Sequence, residues 1–246
     1  MIPKKIYYTW FGGAQKSDQV IENIKNWQRL NPDYKIIEIN ESNFDVDSIN
    51  FSKEAYSQKK WAFVSDVARL SVIYEFGGYY FDTDVELLKP LSIFSKYREV
   101  YGLQNSGEVN TGSGFGAEPK SELVAEQLEA YKRLKFDSEH LSELTNVAII
   151  SRIFKERGLK VKNQTQMIGN AIVLKSTYLT PLHFWGGGSV RRETVGIHHF
   201  HKTWGTNVKA SLLGKISLNL RLKIPKLERI LTETINHISK KKQELK

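Results

Sequence analysis

The sequence predicts an α/β fold on three observations: a strand-helix-strand opening, apolar runs that alternate with helical periodicity along the whole chain, and enough apolar residues for a full core. Of 246 residues, 40% are hydrophobic and 11% aromatic, which suits one domain of this size. Ile6-Tyr-Tyr-Thr-Trp-Phe11 is a buried strand ended by Gly12-Gly13. Asp18 to Leu30 places Val20, Ile21, Ile24, Trp27 and Leu30 at helical spacing, with Asp18 as the expected cap and Asn31-Pro32-Asp33 as the stop. Tyr34 to Ile39 is the second strand. A helix over Trp61 to Phe76 sets Trp61, Val64, Ala68 and Val72 on one face and stops at Gly77-Gly78. Tyr79 to Leu88 follows as one strand. Farther on, Glu99 to Leu103 and Ser113 to Ala117 are expected strands around a turn. Ser121 to Lys135 and Asn146 to Arg157 are expected helices, and Ala171 to Leu174 and Val195 to Phe200 late strands, with Gly186 to Gly188 between them.

Charge and cysteine usage narrow the chemistry. There is no cysteine, so any metal must sit on oxygen and imidazole, which favours a hard divalent ion. The net charge is +9, and the segment from Lys202 onward holds eleven Lys/Arg against three acids. Such a tail suits nucleic acid, an anionic membrane surface, or plain solvation. No run approaches the roughly 18 apolar residues of a membrane span and no signal-peptide core opens the chain, so an intracellular, cytoplasmic protein is expected. The expected division is a catalytic domain over residues 1–207 and a basic, amphipathic helical extension over 208–246.

Asp82-Thr-Asp84 carries the chemistry. On an extended segment, carboxylates two apart face the same side and can share one divalent cation, which would also bind a pyrophosphate and neutralise it on departure. Upstream, Ser65-Asp66-Val-Ala-Arg69 sets an acid and an arginine on one helical face, either as an ion pair or as a clamp for sugar hydroxyls and phosphate. Tyr80 shares the side of Asp82. In the late cluster His198-His-Phe-His201-Lys-Thr-Trp204, alternation puts His199 and His201 on one face and His198 on the other. Asn110-Thr-Gly-Ser-Gly-Phe is a small-residue loop that backbone can use to approach a ligand, or a plain hairpin turn.

Together, Thr9-Trp10-Phe-Gly, Ser65-Asp-x-x-Arg69 and Gly77-Gly-x-Tyr-x-Asp82-x-Asp84 resemble glycosyltransferase family 32, the DXD-motif sugar transferases related to the large clostridial glucosylating toxins. The likeness is strongest over residues 1 to 95 and again near 198 to 204. It implies a GT-A fold with a mixed sheet flanked by helices, Mn²⁺ or Mg²⁺, a nucleotide-diphosphate sugar donor, and retention of configuration. It also implies that Trp10 stacks on the base, with Thr9 and Ser65 nearby. Asp66 and Arg69 would hold the sugar, Tyr80 and Asp82 would contact ribose or sugar, and Asp84 would bind metal. A histidine at the head of the late block would complete the metal shell, His198 before His199 or His201, and Lys202, Thr203 and Trp204 would reach the diphosphate. Asn110 is an expected sugar contact, and Asp66, Arg69, Asp82 and Asp84 stand nearest the chemistry.

The expected activity is therefore hexosyl transfer, UDP-galactose or UDP-glucose first among donors, to a saccharide or lipid-linked acceptor of capsular or surface polysaccharide. A peripheral membrane contact through the tail is expected and nucleic acid is not. A divalent-metal phosphohydrolase using the same two aspartates, and a basic nucleic-acid-binding protein, are the alternatives.

Overall fold

The computed structural model describes residues 1–183 and 187–200. The first half runs β1 (Lys5–Thr9), α1 (Asp18–Leu30), β2 (Lys35–Ile39), α2 (Asn50–Ser57), α3 (Trp61–Phe76), β3 (Gly78–Tyr80) and β4 (Val85–Leu87). A short 3-10 turn, Leu91–Phe94, leads to β5 (Glu99–Gly102), β6 (Phe115–Ala117), α4 (Glu122–Arg133), α5 (Asn146–Glu156), β7 (Gln166–Ile168), β8 (Ala171–Leu174) and β9 (Gly196–His198).

Seven strands form one mixed sheet in the order β2-β1-β3-β6-β5-β8-β7, and β4 pairs with β9 in a separate two-stranded ribbon. β1 lies parallel to both β2 and β3, and β5 parallel to β8, while β6 and β7 run against their neighbours. Alternation along the strands feeds two cores, one on each face. From β1, Tyr7 enters the core built with α2, α3, α4 and α5, while Ile6 and Tyr8 enter the one built around Trp27 of α1. The sheet is thus the middle of three layers, and each fully buried large apolar side chain contributes roughly 1.5–3 kcal/mol.

Local chemistry explains the elements that hold the site. α1 is capped by the Ser17 hydroxyl, which accepts from the Val20 N–H, so the cap is Ser17 and not Asp18, whose carboxylate instead sits in the first turn. α3 is buried along Phe63 to Leu70 and again at Val72 and Ile73, more than the single face its spacing predicts. It ends at Gly77, whose φ of 60° suits glycine, and the Gly77 N–H donates to the Ile73 carbonyl.

The expected single strand from Tyr79 to Leu88 is two strands. The chain leaves β3, turns over Phe81 to Asp84, and resumes as β4, because the Asp82 N–H is taken by the Gly112 carbonyl and the Asp82 carbonyl by the Val85 N–H. α2 and β7 are additions that the periodicity did not announce. The expected extension over 208–246 lies outside the described residues, as do Gly186, His201, Lys202, Thr203 and Trp204.

Candidate functional site

The floor of the site is the row where β1, β3 and α3 meet. Thr9 ends β1, Tyr80 ends β3, and Ser65 lies on the inward face of α3. The Thr9 hydroxyl donates to Ser65 Oγ at 2.8 Å and lies 2.9 Å from the Tyr80 hydroxyl, which donates to Asp82 Oδ1 at 2.8 Å. Ser65 in turn donates to the Trp61 carbonyl one turn back.

On this floor rests a buried ionic triad. Arg69 Nη2 lies 3.0 Å from Asp66 Oδ1 and 3.2 Å from Asp82 Oδ1, and the Arg69 side chain is only 3% exposed. Its Nε donates to the Ser65 carbonyl, and the guanidinium stacks 4.6 Å over the Tyr80 ring. Arg69 Nη1 is buried without a hydrogen-bond partner among the described residues, so one donor of the fork remains to be matched. Burial pushes the Asp66 carboxyl up to about 7, with the Asp82 charge adding to the rise and Arg69 pulling against it. The Asn146 side chain, at the start of α5, helps hold the Asp66 pKa down, and its oxygen accepts from the Thr111 N–H. Both Asp66 and Arg69 therefore face the site, as an ion pair whose second carboxylate is the first motif aspartate.

Asp82 and Asp84 converge through the turn and not through strand alternation. The β4-β9 ribbon then delivers the histidine: His198 stands in register with Val85, and the His199 N–H donates to the Asp84 carbonyl. One ligand atom each of Asp82, Asp84 and His198 lies within 4.8 Å of the others. His198 Nε2 is 3.1 Å from Asp84 Oδ1, whereas His199 Nε2 turns to Glu86 Oε2 at 3.1 Å. Burial lowers the His198 pKa, but the hydrogen bond it donates to Asp84 and the charges of Asp84 and Asp82 outweigh it, so the imidazole is raised above its ordinary value.

Two carboxylates and an imidazole, with no thiolate, form a donor set for a hard divalent cation. The fit is supported by His198 Nδ1, buried and without a hydrogen-bond partner among the described residues.

The loop Asn110 to Gly114 closes one side. The Asn110 side-chain oxygen accepts from the Gly112 N–H, so this residue shapes the loop. A Cβ on Gly112 would lie 2.2 Å from Asp82 Oδ2 and 3.1 Å from Arg69 Nη1, so only glycine lets the backbone rest on the ionic triad. Trp10 follows β1 at the rim, partly exposed, with its indole N–H donated to the Ala14 carbonyl and Lys16 5.5 Å over its ring. Gly112 belongs to the small-residue loop that the sequence marked for close backbone approach, whereas Asn146 was not singled out. The signal for Asn146 was its place after the Thr145 cap of α5.

Comparison with known proteins follows the same lines. Residues 17–102 match the family model of the glycosyltransferase sugar-binding region containing a DXD motif. Among solved structures, the chain is similar to the PaToxG glycosyltransferase, with a TM-score of 0.54 and 16% identity over 63% of this chain and 69% of that one. It is also similar to a glycosyltransferase involved in the glycosylation of the major capsid of PBCV-1, at a TM-score of 0.44 and 11% identity over 81% of this chain and 95% of that one. No curated protein matches. From the Ser17 cap of α1 through both motif aspartates to the end of β5, the chain is similar to the sugar-binding region of the DXD glycosyltransferases.

Proposed function

We propose that the protein is a retaining, metal-dependent hexosyltransferase that draws on a nucleotide-diphosphate sugar, with UDP-linked hexoses first among donors. The observation that carries this reading is the convergence of Asp82, Asp84 and His198 from two distant parts of the sequence beside a buried arginine with an unmatched donor. In this reading Asp82, Asp84 and His198 hold Mn²⁺ or Mg²⁺, and Asp82 also reaches ribose or sugar with Tyr80. The bound ion supplies positive charge against which a diphosphate can leave.

The chain's own residues do the rest. Arg69, fixed by Asp66, Asp82 and the Ser65 carbonyl, offers its free Nη1 to a sugar hydroxyl or phosphate oxygen without reorganising. Asp66 accepts from sugar hydroxyls, and Thr9 and Ser65 hold the floor beneath. Trp10 offers a ring face at the rim to a base. Gly112 brings backbone close to the donor while Asn110 holds that loop in shape. Lys202, Thr203 and Trp204 are assigned to the diphosphate, and the leaving phosphate accepts the proton of the incoming hydroxyl on the same face. The acceptor is a saccharide or lipid-linked oligosaccharide of capsular or surface polysaccharide. The protein would then work in the cytoplasm, with the basic tail against the inner membrane face.

A thermal-shift screen of UDP-, GDP- and dTDP-sugars with and without Mn²⁺ tests the proposal, because a ligand that binds only the folded chain raises its melting temperature. A shift with a UDP-hexose that requires Mn²⁺ is expected. No shift with any nucleotide sugar, with or without the ion, contradicts it.

A further inference from the structure

The backbone from Thr83 to Leu88 has two neighbours, and only one of them is a strand. Its even-numbered residues turn to β9: the Asp84 carbonyl accepts from the His199 N–H, Glu86 is in register with Ile197, and the Leu88 N–H donates to the Val195 carbonyl. The odd-numbered carbonyls point the other way. Thr83 O accepts from Asn23 Nδ2 at 2.8 Å, Val85 O from Trp27 Nε1 at 2.9 Å, and Leu87 O from Asn26 Nδ2 at 2.7 Å. All three donors are side chains of α1, at positions i, i+3 and i+4 on one face. Just past the C-terminus of α1, Asn31 continues the row by accepting from the Leu91 N–H at 2.8 Å.

A buried edge with unpaired carbonyls is costly, and it is normally closed by another strand. Here a helix closes it with amides and an indole. We infer that α1 serves as a surrogate strand for the metal-binding turn, and that Asn23 is a positioning residue that sets the aim of Asp82 and Asp84.

The case for Asn23 in particular rests on where its bond falls. Thr83 is the residue between the two motif aspartates, and its carbonyl belongs to the peptide that leads into Asp84. Holding that oxygen fixes the plane of the peptide, and with it the direction in which Asp84 leaves the backbone. The opposite side of the turn is held by the Asp82 N–H to Gly112 O bond, so the peptides flanking both aspartates are clamped from two sides. Asn23 is 2% exposed, and its own oxygen accepts from Gln19 Nε2 at 3.2 Å, which fixes which end of the amide faces Thr83. Asn26 makes the same kind of bond four residues farther on, at the far end of β4, away from either carboxylate.

This inference rests on the assignment of Asp82, Asp84 and His198 as metal ligands, and a direct titration separates the two. Mn²⁺ binding to the full chain is followed by loss of the free-ion EPR signal, alongside thermal unfolding, for the wild type, Asn23→Leu, Asn23→Asp, Asn26→Leu and Asp84→Asn. Both Asn23→Leu and Asn26→Leu lose a hydrogen bond and some melting temperature. The Asn23 variants weaken Mn²⁺ binding about 10- to 100-fold, the scale of losing a group that orients a metal ligand, while Asn26→Leu keeps it within about twofold. Asn23→Asp keeps the size of the side chain but puts a charged acceptor in place of the donor, so weakened Mn²⁺ binding in spite of the added negative charge decides the matter if Asn23→Leu does not fold. Wild-type affinity in a folded Asn23 variant overturns the positioning role alone. If the wild type binds no Mn²⁺, or Asp84→Asn binds it equally well, the metal assignment fails and the inference with it.

Discussion

Asp66 and Arg69 place a buried ion pair on a single turn of α3. Their pair is nearly dry, with side-chain exposures of 6% and 3%. A pair so placed contributes little net stability, yet removing one partner is costly because the other is left charged and buried. The effect on pH dependence has a definite sign. The Asp66 pKa is about 7 in the folded chain, against an ordinary value near 4 for an exposed aspartate. Between those two values the folded state holds the proton more tightly than the unfolded one, so this group's contribution favours folding at acid pH and is lost as pH rises through the window. Asp66→Asn should remove that slope. Urea midpoints of wild type and variant, compared at pH 4.5, 6 and 8, are expected to show the wild type falling relative to Asp66→Asn as pH rises. A difference independent of pH would show that Asp66 titrates normally.

At the scale of elements, the turns decide where chemistry sits. α3 stops at Gly77 so that β3 can start beside β1. A Cβ at Gly77 would lie 2.7 Å from Pro119 Cδ, 2.8 Å from its nitrogen and 2.9 Å from Pro3 Cδ, on a backbone with φ 60°. Gly77→Ala is therefore expected to cost about 1–3 kcal/mol or more in urea unfolding, and wild-type stability would contradict the close packing. The helices that organise the site were legible in the sequence because their apolar periodicity is long: the expected spans of α1 and α3 match the observed Asp18–Leu30 and Trp61–Phe76. α2 was not legible, since it is eight residues long and its Ile49 cap makes no side-chain bond. β7 was missed because three residues at a sheet edge, with Met167 exposed, carry no alternation to read. The break between β3 and β4 was hidden for a different reason. Tyr-Tyr-Phe-Asp-Thr-Asp-Val-Glu-Leu reads as one strand, and the bond that breaks it comes from Gly112, a partner thirty residues on that local pattern cannot reveal.

For the whole molecule, the sheet and the β4-β9 ribbon bring residues from four distant stretches together: the end of β1, the middle of α3, the turn after β3 and the end of β9. The motif residues were legible as chemistry because acids, an arginine and histidines stood at suggestive spacings. Their convergence was not, because it depends on the register of Val85 against His198. None of the helices among the described residues is long and apolar enough to cross a membrane, and the basic tail is the part of the sequence suited to an anionic surface. Each Lys or Arg near such a surface is worth about 1 kcal/mol of attraction. The full chain is expected to co-sediment with anionic vesicles and a chain ending at Lys209 to lose that binding; no sedimentation of the full chain, or undiminished sedimentation of the shorter one, would contradict membrane docking by the tail. The central claim is that the convergent acids and histidine serve sugar transfer through a divalent ion. It is tested most directly by nucleoside-diphosphate release from the donor found in the ligand screen, measured with chelator and after Mn²⁺ is restored, for wild type and Asp84→Asn. Release by the wild type that stops with chelator, returns with Mn²⁺, and is absent in a folded Asp84→Asn is the predicted result. Equal release with chelator present, or by the variant, would contradict it.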